Sequence, residues 1–228
     1  MIQGADNSSP KDVRLQPAPG AATLRTRMYT VRPPLYGESV DVAELILQSD
    51  CGMLSALFGP SVKSLLMYLH ERPGNPYSSA SSLVVADAEG SRSAIGAMVG
   101  SLAGATRGAN LRTAGQLFGW YGPAVIARLP GLVRAGRALD GLEPDDFYLS
   151  HIAVVPERRG RGAGAYLLRA AEEHARNLGA GRVVLDVEER NEGARAFYAQ
   201  LDYREVSPVR IDLRRMGLFS FLRLSKGL

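Results

Sequence analysis

The feature that most constrains this 228-residue chain is a glycine-rich turn between an apolar strand and a helix. Residues 152–155 read IAVV, residues 158–164 read RRGRGAG, and a helical pattern of apolar residues covers 162–178. Glycines allow backbone amides to approach a ligand closely, and the start of a helix carries partial positive charge. The turn therefore predicts an anion site suited to a pyrophosphate, to which Arg159 and Arg161 add positive charge.

Other phosphate-binding turns fit this segment less well. A Walker loop needs Lys-Ser or Lys-Thr after its glycines, and neither follows here. A dinucleotide-binding GxGxxG that starts at Gly160 would place its third glycine at Ala165, and such a loop usually opens its domain rather than lying beyond residue 155. An arginine-rich surface turn without a ligand is the plain structural alternative. The turn alone therefore leaves its ligand open.

The periodicity of apolar residues predicts one α/β domain over residues 24–228, preceded by a flexible leader over residues 1–23. Strands are expected at 24–31, 82–86, 93–102, 147–155, 182–187, 204–213 and 219–224, with a hairpin turn at 88–90. Helices are expected at 40–47, 62–69, 162–178 and 193–201. Antiparallel strands that lead into a strand-helix-strand-helix unit and end in a hairpin indicate a mixed central sheet.

A helical insertion interrupts this strand pattern at residues 105–142, and Pro130 is expected to break its helix. The insertion carries Phe118, Trp120 and Tyr121 among glycines. These aromatic side chains could form a wall over an acceptor site. They could equally anchor the insertion to the domain or to a second subunit, which leaves a homodimer open.

Composition excludes several classes of function. The net charge of +4, from 27 basic and 23 acidic residues, is too small to predict nucleic-acid binding. No segment approaches the roughly 18 apolar residues of a membrane-spanning helix, so no membrane partner is expected either. The single Cys51 is interpreted as a buried packing thiol, and His70, His151 and His174 lack the spacing of metal ligands. A cytoplasmic protein without a metal cofactor is expected.

Together with the segments that follow it, the glycine-rich turn resembles the GNAT N-acetyltransferase superfamily. The similarity covers residues 148–203. Residues 159–164 carry the family's signature of Gln or Arg, two residues, Gly, one residue, and Gly or Ala, and an Asn-containing turn and a Tyr-bearing helix follow. The resemblance implies the GNAT fold, acetyl-CoA as co-substrate and acyl transfer to an amine. Asp202 stands where the family often has Gly, but Asp tolerates the same left-handed turn.

The resemblance also implies which residues bind acetyl-CoA. Backbone groups at the strand end pair with the pantetheine arm at Ile152, Ala153 and Val154. Loop amides bind the pyrophosphate at Arg159, Gly160, Arg161, Gly162, Ala163, Gly164 and Ala165. The side chain of Asn191 contacts the cofactor arm. In the alternative interpretation, Ile152 and Val154 are ordinary core residues, and Asn191 only caps the next helix.

Two residues are expected to carry the chemistry. Tyr198 matches the family's helix tyrosine, whose phenol would bond the CoA sulfur and donate a proton as the thiolate leaves. Its alternative is a packing role, although Phe197 beside it serves packing better. Asp186 is the expected base, near where some N-terminal acetyltransferases of the superfamily place a glutamate. It could instead pair with an arginine, and His151 and Ser150 are competing candidates.

The resemblance places the amine acceptor on the face of the sheet opposite acetyl-CoA. The insertion would narrow the open groove that a peptide needs, which favours a small-molecule amine as the acceptor. Two other functions stay open. One is a protein N-terminal acetyltransferase, and the other is an acyl-CoA-binding sensor without turnover.

Overall fold

In the computed structural model, which describes residues 24–25, 28–88 and 93–228, eight strands form one sheet. The strands are β1 Leu24–Arg25, β2 Tyr29–Arg32, β3 Ser82–Asp87, β4 Gly96–Leu102, β5 Asp146–Val154, β6 Arg182–Glu188, β7 Arg204–Asp212 and β8 Leu218–Gly227. Their order is β1-β2-β3-β4-β5-β6-β8-β7, and all neighbouring pairs are antiparallel except β5 and β6. The predicted mixed sheet with antiparallel N-terminal strands and a C-terminal hairpin is confirmed.

Helices cover both faces of this sheet. They are α1 Ser39–Ser49, α2 Met53–Phe58, α3 Val62–His70, α4 Ala103–Gly108, α5 Asn110–Tyr121, α6 Leu129–Ala135, α7 Ala163–Asn177 and α8 Glu192–Ala199. Helix α7 packs on one face because Leu167, Ala171 and Ala175 recur every fourth residue and all three are buried. None of the described helices combines the length and the apolar character that crossing a bilayer requires.

Strand alternation divides the core into two apolar clusters. The α7-side cluster includes Met98, Phe147, Leu149, Val154, Leu167, Leu168, Val183, Leu185, Val187 and Tyr198. The α1-side cluster lies on the opposite face and includes Val42, Ile46, Leu57, Leu65, Leu66, Ala97, Val99, Leu117, Val125 and Ile211. Each strand of the sheet centre contributes alternate residues to the two clusters, as its pleat requires.

Three features differ from the sequence-based expectation. The first predicted strand is two short strands that pair with each other, Leu24 with Val31 and Arg25 with Thr30. Helix α2 lacks a long apolar period and was not predicted. Pro130 does not break a helix but lies in the first turn of α6, where its missing N–H costs nothing. The leader at 1–23 and the turn at 89–90 lie outside the described residues.

A β-bulge in β5 changes which face the end of that strand presents. Gly100 of β4 pairs with Leu149, whereas Val99 pairs with His151, so Ser150 is the extra residue. The Ser150 hydroxyl donates to the Val99 carbonyl at 3.0 Å. Strict alternation would place His151 on the α7 side with Leu149. The bulge instead turns His151 to the α1 side, while Ile152 and Val154 pack on the α7 side.

Strands β5 and β6 separate soon after they begin to pair. Their parallel pairing covers only three residue pairs, Asp146 with Arg182, Phe147 with Val183, and Tyr148 with Val184. Beyond Tyr148 the two strands diverge, and β6 continues to pair with β8 as far as Glu188. The carboxyl half of β5 therefore presents an unpaired backbone edge at the centre of the sheet.

Candidate functional site

The glycine-rich turn forms an open cradle at the end of β5. Gly160 and Gly162 adopt positive φ angles of +71° and +87°, and a Cβ built at either position would meet nothing within 4 Å. Gly162 is also the N-cap of α7, and no side chain caps the helix there. The first amides of α7 therefore point into open space, where an anion can accept their hydrogen bonds.

Contacts on both sides hold this cradle against the early strands. The Tyr29 hydroxyl donates to the Arg161 carbonyl at 2.9 Å, and Arg158 pairs with Asp87 at 2.5 Å. Arg159 turns back and donates from Nε to the Val154 carbonyl at 2.9 Å. The first of these bonds holds the Arg161 carbonyl toward the protein. The Arg159 amide donates to the Pro156 carbonyl at 3.2 Å, so the amides that can reach a ligand are those that follow it in the turn.

The site presents groups that a CoA ester could use. In chain order between Ser150 and Gly164 there are a strand edge with which no strand pairs, a turn that contains Arg158, Arg159 and Arg161, and the start of a helix. The two phosphates would lie at the cradle, and the pantetheine arm would lie along the open edge of β5. The binding roles of residues 152–154 and 159–165 remain predictions that this geometry supports.

Replacing Gly162 by valine tests the cradle. We expect Gly162→Val to abolish the rise in melting temperature that acetyl-CoA produces, because a β-branched residue resists this left-handed backbone and displaces the amides. The native protein should gain about 2.7 kcal/mol at a ligand concentration of 100 Kd, measured by a thermal shift titration. Gly179→Val is the matched control, since Gly179 has φ +82° and open surroundings at the far end of α7. Loss of the ligand shift in both variants would contradict the assignment.

Asn191 is the N-cap of α8, and its side-chain oxygen accepts a hydrogen bond from the Ala194 amide at 3.0 Å. The capping alternative from the sequence is therefore present in the structure. The cap uses only the oxygen, so the amide nitrogen stays available for the predicted contact with the cofactor arm.

Tyr198 is the buried side chain of α8 and joins the α7-side cluster. Its ring contacts Phe197 and Tyr203, with centroids 5.3 Å and 5.7 Å away. Phe197 is only half-buried and lies near Gly164, so the expectation that Phe197 carries the packing better is wrong. Burial raises the pKa of the Tyr198 phenol, which keeps its hydroxyl protonated as a donor.

Asp186 lies on the α1 side of the sheet and both of its oxygens are occupied. Arg223 of β8 donates from Nε and Nη2 at 2.9 Å each, and the Tyr148 hydroxyl donates at 3.0 Å. The ion pair is 6–7% exposed. Arg223 also donates to the carbonyls of Ala138 and Asp140 at the end of the insertion. These contacts match the arginine-paired alternative, and Asp186 as the base stays a prediction.

His151 lies on the same face, and among the described residues no hydrogen bond reaches its Nε2. The Ser49 oxygen lies 2.8 Å from the Ile46 carbonyl and 3.0 Å from His151 Nδ1, so in the tautomer protonated at Nδ1 the imidazole donates to Ser49 while Ser49 donates to Ile46. The Nε2 atom of this tautomer therefore carries a lone pair. Burial lowers the pKa of His151 to about 4, which keeps the imidazole neutral at physiological pH. The ring of Tyr77 lies beside it at 5.8 Å.

The carboxylates of Asp50, at the end of α1, and of Glu188, at the end of β6, both lie near Cys51. Burial and then the charges of Asp50 and Glu188 raise the pKa of the Cys51 thiol to about 11. Cys51 is therefore a protonated thiol and a poor nucleophile, although it is half-buried rather than buried. Asp50 accepts hydrogen bonds from the backbone amides of Gly52 and Leu54, and within the described residues it pairs with no basic side chain. The α1 side of the sheet near His151 thus combines negative charge with aromatic rings.

The insertion spans the distance from the early helices to the final hairpin. Its Tyr121 hydroxyl donates to the Phe58 carbonyl at 2.8 Å, and Trp120 packs on Tyr68 with ring centroids 5.0 Å apart. A Cβ at Gly131 would lie 3.0 Å from Leu57 and from Met216. The sequence had left the role of these aromatics open, and Trp120 and Tyr121 are packing anchors.

Among the described residues, no three His, Cys, Asp or Glu side chains are arranged to hold a metal ion.

The fold is that of acetyltransferases. The N-acetyltransferase from Staphylococcus aureus Mu50 superposes with a TM-score of 0.60 at 15% identity, over 86% of this chain and 99% of that one. An agmatine N-acetyltransferase mutant superposes with a TM-score of 0.56 at 17% identity, over 88% and 99%.

The sequence identifies the family directly. Residues 81–203, more than half of the chain, match the family described as Acetyltransferase (GNAT) family. The chain therefore belongs to the GNAT family of acetyltransferases, which use acetyl-CoA. This confirms the family and the class of acyltransferase enzyme that the glycine-rich signature indicates.

Curated relatives match only over short segments. The uncharacterized N-acetyltransferase YobR of Bacillus subtilis is 36% identical over 67 residues, which are 29% of this chain and 27% of that protein. The N-alpha-acetyltransferase 30 of Schizosaccharomyces pombe is 38% identical over 56 residues, 25% of this chain and 37% of the relative. The similarity therefore spans less than half of either relative.

Proposed function

We propose that the protein transfers the acetyl group of acetyl-CoA to the primary amine of a small cationic molecule by direct attack. The observation that carries this proposal is the divergence of β5 and β6 beside the glycine cradle. It opens the sheet at one point, where a thioester held on the α7 side could meet an acceptor from the α1 side. Cofactor binding, the acceptor and the proton steps are all part of the proposal.

The proton steps are assigned to one residue on each face. The ammonium form of the acceptor first loses one proton to water. The neutral amine nitrogen then bonds to the carbonyl carbon of the thioester, and a second proton passes from that nitrogen to Nε2 of His151 or to a water beside it. The C–S bond breaks, and the Tyr198 hydroxyl donates to the departing sulfur. Water then returns a proton to Tyr198 and takes one from His151. The products are the N-acetylated amine and free CoA.

The charge of the acceptor side favours a cationic amine. Asp50 and Glu188 have no basic side-chain partner among the described residues, and together they attract an ammonium group. The rings of Tyr77, Phe219 and Phe221 add apolar surface. The insertion contacts both α2 and the final hairpin, and such a bridge would narrow the approach to this face, which supports a compact acceptor. The agmatine enzyme of similar fold is an acetyltransferase of that kind.

A consumption screen tests this function. Acetyl-CoA turnover would be followed by thiol release with polyamines, aminoglycosides, amino acids, other amines and peptides as acceptors. We expect turnover with one or more compact cationic amines, and a higher KM for that amine in Asp50→Asn. No thiol release with any amine, despite binding of acetyl-CoA, would instead indicate the sensor without turnover.

A protein N-terminal amine is the second candidate acceptor. The similarity to the N-alpha-acetyltransferase 30 of Schizosaccharomyces pombe supports it. If peptides with free α-amines are acetylated with a higher kcat/KM than every small amine tested, the acceptor is a protein N-terminus.

The lowered pKa of His151 predicts how the stability of the fold depends on pH. Its folded pKa of about 4 lies below the usual 6.5, so the unfolded chain binds more protons between those values. Stability should therefore fall as pH drops from 6.5 to 4, by at most about 3 kcal/mol and by less because the half-buried ring is partly solvated. His151→Asn keeps a donor toward Ser49 but does not titrate. Urea unfolding at pH 7 and pH 4.5 should show a smaller loss in His151→Asn, and an equal loss would contradict the assignment.

A further inference from the structure

The outer face of the insertion is apolar and exposed to an unusual degree. In α5, the exposed residues Leu111, Gly115 and Phe118 recur at helical spacing, on the side opposite buried Leu117. The large apolar side chains exposed on the insertion are, with their exposed fractions, Leu111 (86%), Phe118 (54%), Ile126 (64%), Leu129 (44%) and Val133 (69%). Soluble domains rarely leave so many large apolar side chains together in the open without a binding role.

Contacts of the insertion show which of its residues face the domain. Val125 and Leu117 point into the α1-side cluster, and Gly131 packs closely on Leu57. The residues that alternate with them therefore point away from the domain. Met216, 41% exposed, lies against Gly131 and extends the same surface beyond the insertion.

The insertion itself carries charge of a single sign. Residues 103–139 contain the arginines 107, 112, 128, 134 and 137 and no Asp or Glu. Within the described part of the chain, the side chains of Arg112, Arg134 and Arg137 make no ion pair with a carboxylate. Arg214 and Arg215 are exposed in the turn that carries Met216, where the exposed Asp212 offsets part of their charge. The apolar side chains therefore share the insertion with an excess of positive charge.

We propose that this outer face docks on the surface of a phospholipid bilayer that contains anionic headgroups. Apolar side chains that enter the interface, together with arginines that pair with lipid phosphates, are the two contributions that hold a protein in the plane of a membrane. A second copy of the chain fits less well, because a symmetric interface would bring the same arginines against each other. The sequence led us to expect no membrane partner because nothing spans a bilayer, but docking at its surface needs no span.

Vesicle flotation tests the proposal. The full chain is mixed with vesicles of phosphatidylcholine alone, or with about 30% phosphatidylserine, at about 0.1 M and 0.5 M salt. We expect binding to the anionic vesicles at low salt, and at least about tenfold weaker binding to neutral vesicles or at high salt. Equal binding to neutral vesicles, or no binding to any vesicle, would overturn the proposal.

Matched variants distinguish binding through this surface from nonspecific hydrophobic binding to vesicles. The triple variant Leu111→Ser, Ile126→Ser, Val133→Ser should bind anionic vesicles at least about tenfold more weakly, as should Arg112→Gln with Arg137→Gln. The control carries the same number of exposed apolar changes elsewhere, namely Tyr36→Ser, Leu178→Ser and Val206→Ser, and should bind as the native chain does. Melting temperatures would verify that every variant is folded.

Two further outcomes would overturn the proposal. Equal losses of binding in the control and in the insertion variant would show that the face has no special role. Light scattering that finds a dimer in the native chain and a monomer in the insertion variant would assign the face to a second copy. Neither outcome depends on acetyl transfer, so the membrane proposal and the proposed function are tested independently of each other.

Discussion

Tyr198→Phe is expected to lower kcat by about 100-fold or more, while the KM for acetyl-CoA changes little. The substitution removes only the hydroxyl, and the ring keeps its contacts with Phe197 and Tyr203 in the α7-side cluster. A donor that serves the sulfur only as it departs contributes to the transition state and not to ground-state binding. Steady-state kinetics with the best amine of the acceptor screen would measure both parameters.

The control for this prediction is the neighbouring Phe197→Leu, which alters packing near Gly164 without removing a hydroxyl. It should affect the KM for acetyl-CoA more than kcat. An unchanged kcat in Tyr198→Phe would reject the proton-donor role. A loss of stability above about 1.5 kcal/mol in that variant would show that the hydroxyl serves the fold instead.

Arg223→Met should destabilise the protein by about 3–5 kcal/mol. It leaves the Asp186 carboxylate buried without its cation, and it removes the donors that hold the carbonyls of Ala138 and Asp140. Replacing both members of the pair, by Asp186→Leu with Arg223→Met, should recover part of that loss because no buried charge remains. Urea unfolding of the two variants would give the difference. A double variant no more stable than Arg223→Met would contradict a buried ion pair.

The same double variant decides the role of Asp186. If the folded double variant keeps most of its kcat, the carboxylate serves the structure and the proton leaves by another route. A fall of about 100-fold or more in kcat, with the fold intact, would restore Asp186 as the base. His151→Gln, in the same assay, should lower kcat if Nε2 accepts the proton, since its amide is not a base.

Sequence reasoning worked best where the functional groups are neighbours in the chain. The strand before the turn, Gly160, Gly162 and the start of α7 follow one another directly, so their geometry depends on local conformational preferences. The left-handed glycines need no distant contact to explain them. The family and the position of the glycine-rich turn could therefore be predicted from residues 147–204, and the mixed sheet from the strand pattern of residues 24–224.

Side-chain direction could not be predicted from the sequence where a local irregularity changes the register. A polar residue such as Ser150 gives no signal that it will bulge from the strand, because the bulge depends on pairing with β4, some 50 residues earlier. One extra residue moves His151 from the α7 side to the α1 side. The sequence could name His151 as a candidate but could not place it opposite the cradle.

The sequence by itself determined the glycine-rich turn before α7, the order of most secondary structure elements and the family, because each depends on residues that are close along the chain. The tertiary structure alone decided that Asp186 pairs with Arg223, that Tyr198 rather than Phe197 is buried, and which apolar residues of the insertion are exposed to solvent. Those outcomes depend on which surfaces pack together across long separations in the sequence. Hydrophobic residues of similar composition can face the core or the solvent, and only the packed fold distinguishes the two.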